Sequence, residues 1–307
     1  MHHWIDRITR TVGKVFCDKQ LVKILHSEPV TCQSETPVLV FSMIGHRVVN
    51  DYLVAVKTLL QRCPVSQVHI LNDGSLTTGD RATLQHHLPH LVIHEYADVD
   101  MTGLPRGNCW ERLVTLLTLA EDNYVIQLDA DIVVNGDIAE VLVAIVHNDA
   151  FLLGSPEWSV PLSMNEMSSI AKHWGECHIQ GRSEQEFAGL PLFQQTTASY
   201  FRGCAAFVGL PAGTQYLPLL KQFSAQMTQA LGEDKWNTWG SEQVASNVIV
   251  SSAKGAHVLP WPKYQTFMFP PTEHPHDEAS LIHFMGTCRY QRGAYRRIAT
   301  QAMQDLV

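Results

Sequence analysis

Two carboxylates separated by one small residue, Asp129 and Asp131, sit between the apolar runs YVIQL and IVV. Burying charge at such a place is costly unless a cation or a set of hydrogen bonds offsets it. In an extended segment the side chains of residues i and i+2 point to the same side. Both acids can therefore face one hard divalent cation, and a cation held there can neutralise a departing diphosphate. The competing reading is a solvated strand-to-loop turn whose acids cap nearby backbone, since Asp-x-Asp alone is a common spacing.

The segment LIHFMGTCRY adds company to the acids. It sets His283, Gly286 and Arg289 in an H-x-x-G-x-x-R arrangement after a strand-like run. An imidazole serves as a third ligand for a transition metal. Gly286 lets backbone N–H groups approach a phosphate, and Arg289 can clamp phosphate oxygens. A core histidine followed by a solvated arginine is the plain alternative, and among sixteen histidines it is the right one for most. Arg112 lies on the helical segment leading into the acidic strand, either reaching a sugar diphosphate or standing exposed. Asp73 and Gly74 form a tight turn in NDGS, and Glu242 and Gln243 occupy the first turn of a helix in WGSEQ. Those last two either cap their helix or point polar groups at sugar hydroxyls. Weaker features are Ser251–Lys254 (S-x-x-K at a helix end), His274-Pro-His276 in a solvated loop, and the basic run Arg289–Arg297. The basic run reads as a solvated helix face or as a contact with an anionic membrane surface.

Alternating elements must position these residues. Residues 1–36 read as one or two amphipathic helices followed by a polar tether, SEPVTCQSETP. VLVFSMIG is then a buried strand, NDYLVAVKTLLQRC a helix, VSQVHILNDGS a strand, and ATLQHHLPHLVIHEYAD a helix and a strand. A helix follows from Trp110 to Ala120. Beyond the acidic strand, Asp137 and Glu140 have the spacing of a capping box before IAEVLVAIVHN. The second half is less regular. MNEMSSIAKHW reads as a helix, GRSEQEFAGLPLFQQTTAS as a loop, YFRGCAAFVGLP as a strand and GTQYLPLLKQFSAQMTQAL as a helix. WGSEQVASNVIVSSAKG is a helix with Ser241 at its N-cap and Gly255 as its stop. SLIHFMG is a late strand, and YRRIATQAMQDL a basic terminal helix. This alternation predicts an α/β fold with a mostly parallel sheet, with ligands beyond the carboxyl ends of the strands. The expected organisation is an N-terminal helical extension (1–36) and one domain over 37–307. Its nucleotide-binding half covers about 37–155 and its acceptor half about 156–307.

Composition narrows the function classes. With 45% apolar and 17% charged residues among 307, the chain has ample core material and is not disordered. A formal net charge of −8 argues against a nucleic-acid binder. The seven cysteines form no C-x-x-C pair and read as reduced thiols of a cytoplasmic protein. The opening sixteen residues lack the apolar run of a signal peptide, and no uninterrupted apolar stretch of about 18 residues exists to span a membrane. The N-terminal helices are compatible with a homodimer contact or with packing on the sheet.

The ordered set FSMIG, NDGS, WERL…LDADIVV, YFRGCAAF, WGSEQVASN and LIHFMGTCR resembles glycosyltransferases of the GT-A fold over roughly residues 37–290. It is most similar to the retaining family that includes glycogenin and bacterial lipopolysaccharide galactosyltransferases, known as family 8. The resemblance implies that Asp129, Asp131 and His283 hold Mn²⁺ (or Mg²⁺) on the diphosphate of a nucleotide sugar, UDP-linked in most relatives. It implies Met43, Ile44 and Asp73 near the nucleoside, Arg112 near phosphates or sugar, and Gly286 and Arg289 at the diphosphate. Gly203 and Cys204 match the strand segment facing the donor sugar, and Glu242 and Gln243 match an Asp-Gln pair that supports the transition state. The acceptor would be a carbohydrate, glycolipid or protein hydroxyl. Three departures stand out. Arg289 replaces a lysine, Glu242 replaces an aspartate, and YFRGCAAF lacks an asparagine and has its glycine displaced beside Arg202. Two rivals remain at this stage, a nucleotide-sugar-binding protein without turnover and a nucleotidyltransferase. The latter wants a Gly-rich basic loop after the first strand, where FSMIGHRVVND has one glycine and one arginine.

Overall fold

The computed structural model describes residues 2–33, 35, 37–194, 199–267, 278–286 and 288–306. His274 and His276 lie outside them. In chain order the elements are α1 (His2–Leu21), β1 (Val38–Ile44), α2 (Val49–Leu60), β2 (Gln67–Asn72), α3 (Thr78–His87), β3 (Leu91–Glu95), α4 (Trp110–Leu119) and β4 (Tyr124–Leu128). They continue as β5 (Ile132–Val134), α5 (Ala139–His147), β6 (Phe151–Leu153), β7 (Leu162–Ser163), α6 (Met164–Lys172), α7 (Ile179–Glu186), β8 (Ser199–Tyr200) and β9 (Cys204–Leu210). The last are α8 (Tyr216–Leu231), α9 (Glu233–Trp236), α10 (Ser241–Ser252), β10 (His257–Val258), β11 (Tyr264–Thr266), β12 (Leu281–His283) and α11 (Ala294–Ala302). The expected alternating α/β class is what the structure has. No helix among the described residues is long and apolar enough to cross a membrane.

The chain divides into two compact units. The first comprises residues 1–95, 128–142 and 260–307, the second 96–127 and 143–259. In the first, β1, β2 and β3 lie side by side, all parallel, with Ile44 opposite Asn72 and Asn72 opposite Glu95. The β-branched and aromatic run of β1 suits a strand buried on both faces, and Val40 and Phe41 are fully buried. Helix α2 buries Tyr52, Leu53, Val54, Val56 and Leu59, each worth about 1.5–3 kcal/mol. Helix α3 opens on a capping box in which Thr77 Oγ accepts from the Asp80 N–H and Asp80 accepts from the Thr77 N–H. A second, small sheet runs β11-β12-β5, with β12 antiparallel to β5 and His283 opposite Ile132. In the second unit β10 pairs parallel with β6, and β6 pairs antiparallel with β9.

Two local expectations are corrected. The stretch after Gly181, read as a loop, carries most of α7, a polar helix whose Ser183 and Glu184 are fully buried. Ser241 is not a cap. Gly240 (φ +102) takes the N-cap place of α10, and Ser241 Oγ accepts a hydrogen bond from Trp110 Nε1 at 2.9 Å.

The polar tether is anchored to α2 where it begins. Lys57, fully buried on α2, donates to the Ser27 hydroxyl and the Glu28 carbonyl at 2.6 Å each and lies 3.0 Å from His87 Nδ1. Burial lowers the Lys57 pKa to about 8, against a small opposing pull from Glu28. Between about pH 8 and the ordinary lysine value near 10.4, the unfolded chain holds the proton that the folded chain has lost. Stability from this group therefore rises with pH across that window, and its cost is fully present below it. In denaturant titrations from pH 7 to 10.5, the stability of the wild type relative to Lys57→Met is expected to rise by up to about 3 kcal/mol. Parallel pH curves would contradict this placement of Lys57.

Candidate functional site

The acidic pair occupies the turn between β4 and β5, closed by the Ile132 N–H donating to the Asp129 carbonyl at 3.3 Å. Antiparallel pairing of β12 with β5 then sets His283 beside Asp131, and the Phe284 N–H donates to the Asp131 carbonyl at 2.8 Å. His283 Nε2 lies 3.4 Å from Asp131 Oδ1. One ligand atom each from Asp129, Asp131 and His283 lies within 4.8 Å of the others. Asp131 and His283 are only 7% and 6% exposed, so this is not a solvated acidic turn. Burial raises the Asp131 pKa, but His283 and Arg289 outweigh it and hold the carboxyl well below the usual range.

Arg289 reaches the site from the turn after β12. Its Nη2 donates to Asp131 Oδ2, its Nη1 donates to Asp51 Oδ1 at 3.1 Å, and its Nε donates to the Phe284 carbonyl at 3.4 Å. Tyr295 also donates to Asp51 Oδ1, at 3.0 Å. Each guanidinium nitrogen, expected on phosphate oxygens, thus has a protein partner. Burial lowers the Arg289 pKa, but Asp131 and Asp51 more than reverse this. For Asp51, on the first turn of α2, burial dominates and raises the pKa despite Arg289 and Tyr295. The division of labour on Asp131 is clear. One carboxylate oxygen takes the guanidinium, while the other faces His283. Asp51 and Tyr295 were not foreseen, because neither carries a local signal. Gly286 has open space where a Cβ would stand, so internal packing does not require a glycine there.

Parallel pairing of β1 and β2 brings Met43 and Ile44 level with Leu71 and Asn72, and the Asp73 N–H donates to the Ile44 carbonyl at 3.0 Å. Asp73 Oδ1 accepts from the Ser75 N–H and hydroxyl at 2.8 and 2.6 Å. A Cβ on Gly45 would lie 2.1 Å from Asp73 Oδ2, so a side chain at position 45 would displace the Asp73 carboxylate. Asp73 is exposed and builds its own turn.

In the second unit, Arg112 is buried rather than exposed. Its Nη2 donates to Glu242 Oε2 at 3.0 Å, with side chains only 11% and 4% exposed. Together with the Trp110–Ser241 bond, this ties α4 to the first turn of α10. Gln243 Nε2 donates to Gln180 Oε1 at 3.3 Å. A Cβ on Gly203 would lie 2.4 Å from Leu152 Cδ1 and 2.5 Å from the Leu153 carbonyl, and Cys204 starts β9 opposite Leu153. Arg202, the residue beside the displaced glycine, donates from Nε to both oxygens of buried Glu184 at 2.9 and 3.1 Å. Its guanidinium stacks on Trp158 and Trp174 at 5.1 and 5.0 Å.

Metal–ligand bonds of about 2.0–2.2 Å place opposed donor atoms about 4–4.4 Å apart, so the 4.8 Å spread fits one cation after small side-chain rotations. Two carboxylates with an imidazole are a donor set that suits a divalent cation.

The chain superposes on the bifunctional glycosyltransferase WbbM with a TM-score of 0.50 and 13% identity, over 84% of this chain and 47% of that one. It therefore spans about half the length of that protein. Mouse xyloside xylosyltransferase 1 aligns at TM-score 0.46 and 12% identity, over 85% of this chain and 99% of that one. The galactosyltransferase LgtC, in complex with donor and acceptor sugar analogues, aligns at 0.46 and 12%, over 85% and 95%. No family model and no curated protein matches the sequence. At these identities the likeness, resting on the first of the three, defines a fold: the GT-A type of glycosyltransferases.

Proposed function

We propose that this chain transfers a sugar from a nucleotide sugar to an acceptor hydroxyl, using a divalent cation held by Asp129, Asp131 and His283. The observation that carries the proposal is the convergence of those three ligand atoms within 4.8 Å, with two of the residues buried, on a fold of this class. When bound, the cation neutralises charge that develops on the departing diphosphate. Arg289 acts as a positioning residue. By holding one oxygen of Asp131 it leaves the other facing His283, and its charge adds to the field at the leaving group. Gly286 leaves room for a phosphate against the backbone, and Met43, Ile44 and Asp73 take the nucleoside.

The roles that the resemblance gives Arg112, Glu242, Gln243, Gly203 and Cys204, contact with donor phosphates and sugar, belong to the same proposal. The Arg112–Glu242 pair would hold its side chains pre-oriented, which is how positioned groups lower a barrier. UDP as carrier, retention at the anomeric carbon and membership of family 8 rest on the motif resemblance. The seven cysteines without a C-x-x-C pair favour a reducing, cytoplasmic setting. The acceptor is a hydroxyl of a carbohydrate, glycolipid or protein.

Thermal-shift measurements with UDP-, GDP- and CDP-sugars, with and without Mn²⁺, test this reading. A donor at about 100 times its Kd stabilises by about 2.7 kcal/mol, which raises the melting temperature by several degrees. One nucleotide class is expected to do so, and only with Mn²⁺. A shift without sugar release would identify a binding protein instead, and no shift with any donor would reject both readings.

A further inference from the structure

From Val12 onward, helix α1 and the short 3₁₀ turn after it (Val22–His26) are apolar on two faces. Cys17, Leu21 and Ile24 are buried against the protein. On the other side Val12, Val15, Phe16, Val22 and Leu25 are 47%, 49%, 51%, 45% and 37% exposed. These five are almost half of the eleven large exposed apolar residues among the described residues. A soluble surface rarely gathers them into one stripe without a partner. Exposed Lys19 and Lys23 lie within the stripe, and Asp18, the acid in this stretch, is paired with Lys14 at 2.7 Å.

Beside the stripe runs a groove of about 570 Å³ lined by Gln20, Arg296, Arg297, Thr300, Gln301 and Gln304. Two arginines and three glutamines line it, the Thr300 hydroxyl being buried, and no lining residue is a carboxylate. Arg296 stacks over the Phe16 ring at 5.8 Å, and Gln20 is one helical turn from Phe16, so groove and stripe are contiguous. Apolar side chains next to a cationic groove, on a chain of net charge −8, make a local charge pattern opposite to the molecule's own. An interfacial helix on an anionic bilayer needs this combination: apolar side chains entering the headgroup boundary, with Lys and Arg at phosphate level. A second copy of the chain fits worse, because a twofold contact through this face would oppose Lys19, Lys23, Arg296 and Arg297 to their own kind.

We infer that the α1–α11 face is a peripheral membrane site, with Val12, Val15, Phe16, Val22 and Leu25 entering the interface and the Arg296–Arg297 groove taking an anionic phospholipid headgroup. The inference is independent of the donor chemistry proposed above. The full chain is co-sedimented with pure phosphatidylcholine vesicles and with vesicles also containing phosphatidylglycerol. Binding is expected on the anionic vesicles at about 0.1 M NaCl, falling steeply at about 0.5 M. Phe16→Asp is expected to weaken it about tenfold, as is the pair Arg296→Glu with Arg297→Glu. All these side chains are exposed, so melting temperatures should stay near that of the wild type. Val146→Asp removes an apolar side chain that is 81% exposed elsewhere and should leave vesicle binding unchanged. Absence of binding to either vesicle, equal binding to both, or a dimer in size-exclusion chromatography that Phe16→Asp dissociates would overturn the inference.

Discussion

Asp131→Asn is expected to lower Mn²⁺-dependent turnover at least about a hundredfold, since even partners behind the ligands of a metal site typically contribute 10–100-fold. The substitution keeps the shape of the side chain and removes its charge. The carboxylate is buried, faces His283 with one oxygen and takes Arg289 on the other. Asparagine can still accept one of these contacts, and Asp51 still neutralises Arg289 at 3.1 Å. The stability cost should therefore stay at about 1–3 kcal/mol, with the circular dichroism spectrum unchanged. Titration calorimetry with Mn²⁺ should show weaker binding by the variant. Wild-type turnover and wild-type Mn²⁺ affinity in Asp131→Asn would remove Asp131 from the metal site.

Arg289→Met should act first on stability. The side chain separates two carboxylates, Asp131 and Asp51, that are 7% and 3% exposed. Removing the cation leaves both buried, with His283 and Tyr295 as their remaining close partners among the described residues and the Lys14 charge acting on Asp51. Loss of one partner from such a buried cluster costs about 3–5 kcal/mol. Adding Asp51→Asn should recover part of the loss, because it removes one of the stranded charges, and a double-mutant cycle in denaturant would measure the coupling. An arginine whose only work was to clamp phosphate would behave differently. Its replacement would weaken the donor and leave the unfolding midpoint nearly unchanged.

Much of the first unit was legible in the sequence because its signals are local. The apolar run of β1, the periodic face of α2 and the Thr77–Asp80 cap each report on neighbours within a few residues. The three metal-ligating candidates were legible as residue types. That they meet depends on the β5–β12 register, which pairs residues about 150 positions apart. What Arg289 does was not legible, since its partner Asp51 is 238 residues away and looks like any acid in a first helical turn. Helix α7 was missed for a physical reason. Its buried face is Ser183 and Glu184 rather than apolar side chains, and Glu184 is offset by Arg202 and Tyr200 from another strand region. Periodicity of apolar residues cannot report a helix that buries a charge. The same contact explains Arg202, which looked like a departure in a sugar-facing segment and is, within its own unit, the counter-charge of Glu184.

The central claim, cation-dependent use of a nucleotide sugar, is tested most directly by release of nucleoside diphosphate from UDP-sugars by the wild-type chain. Mn²⁺ is supplied in one arm and removed with a chelator in the other. Release with Mn²⁺ that stops on chelation and returns on adding the metal back is the predicted result. Release that persists unchanged under chelation, or none from UDP-, GDP- or CDP-sugars with Mn²⁺ present, would contradict it.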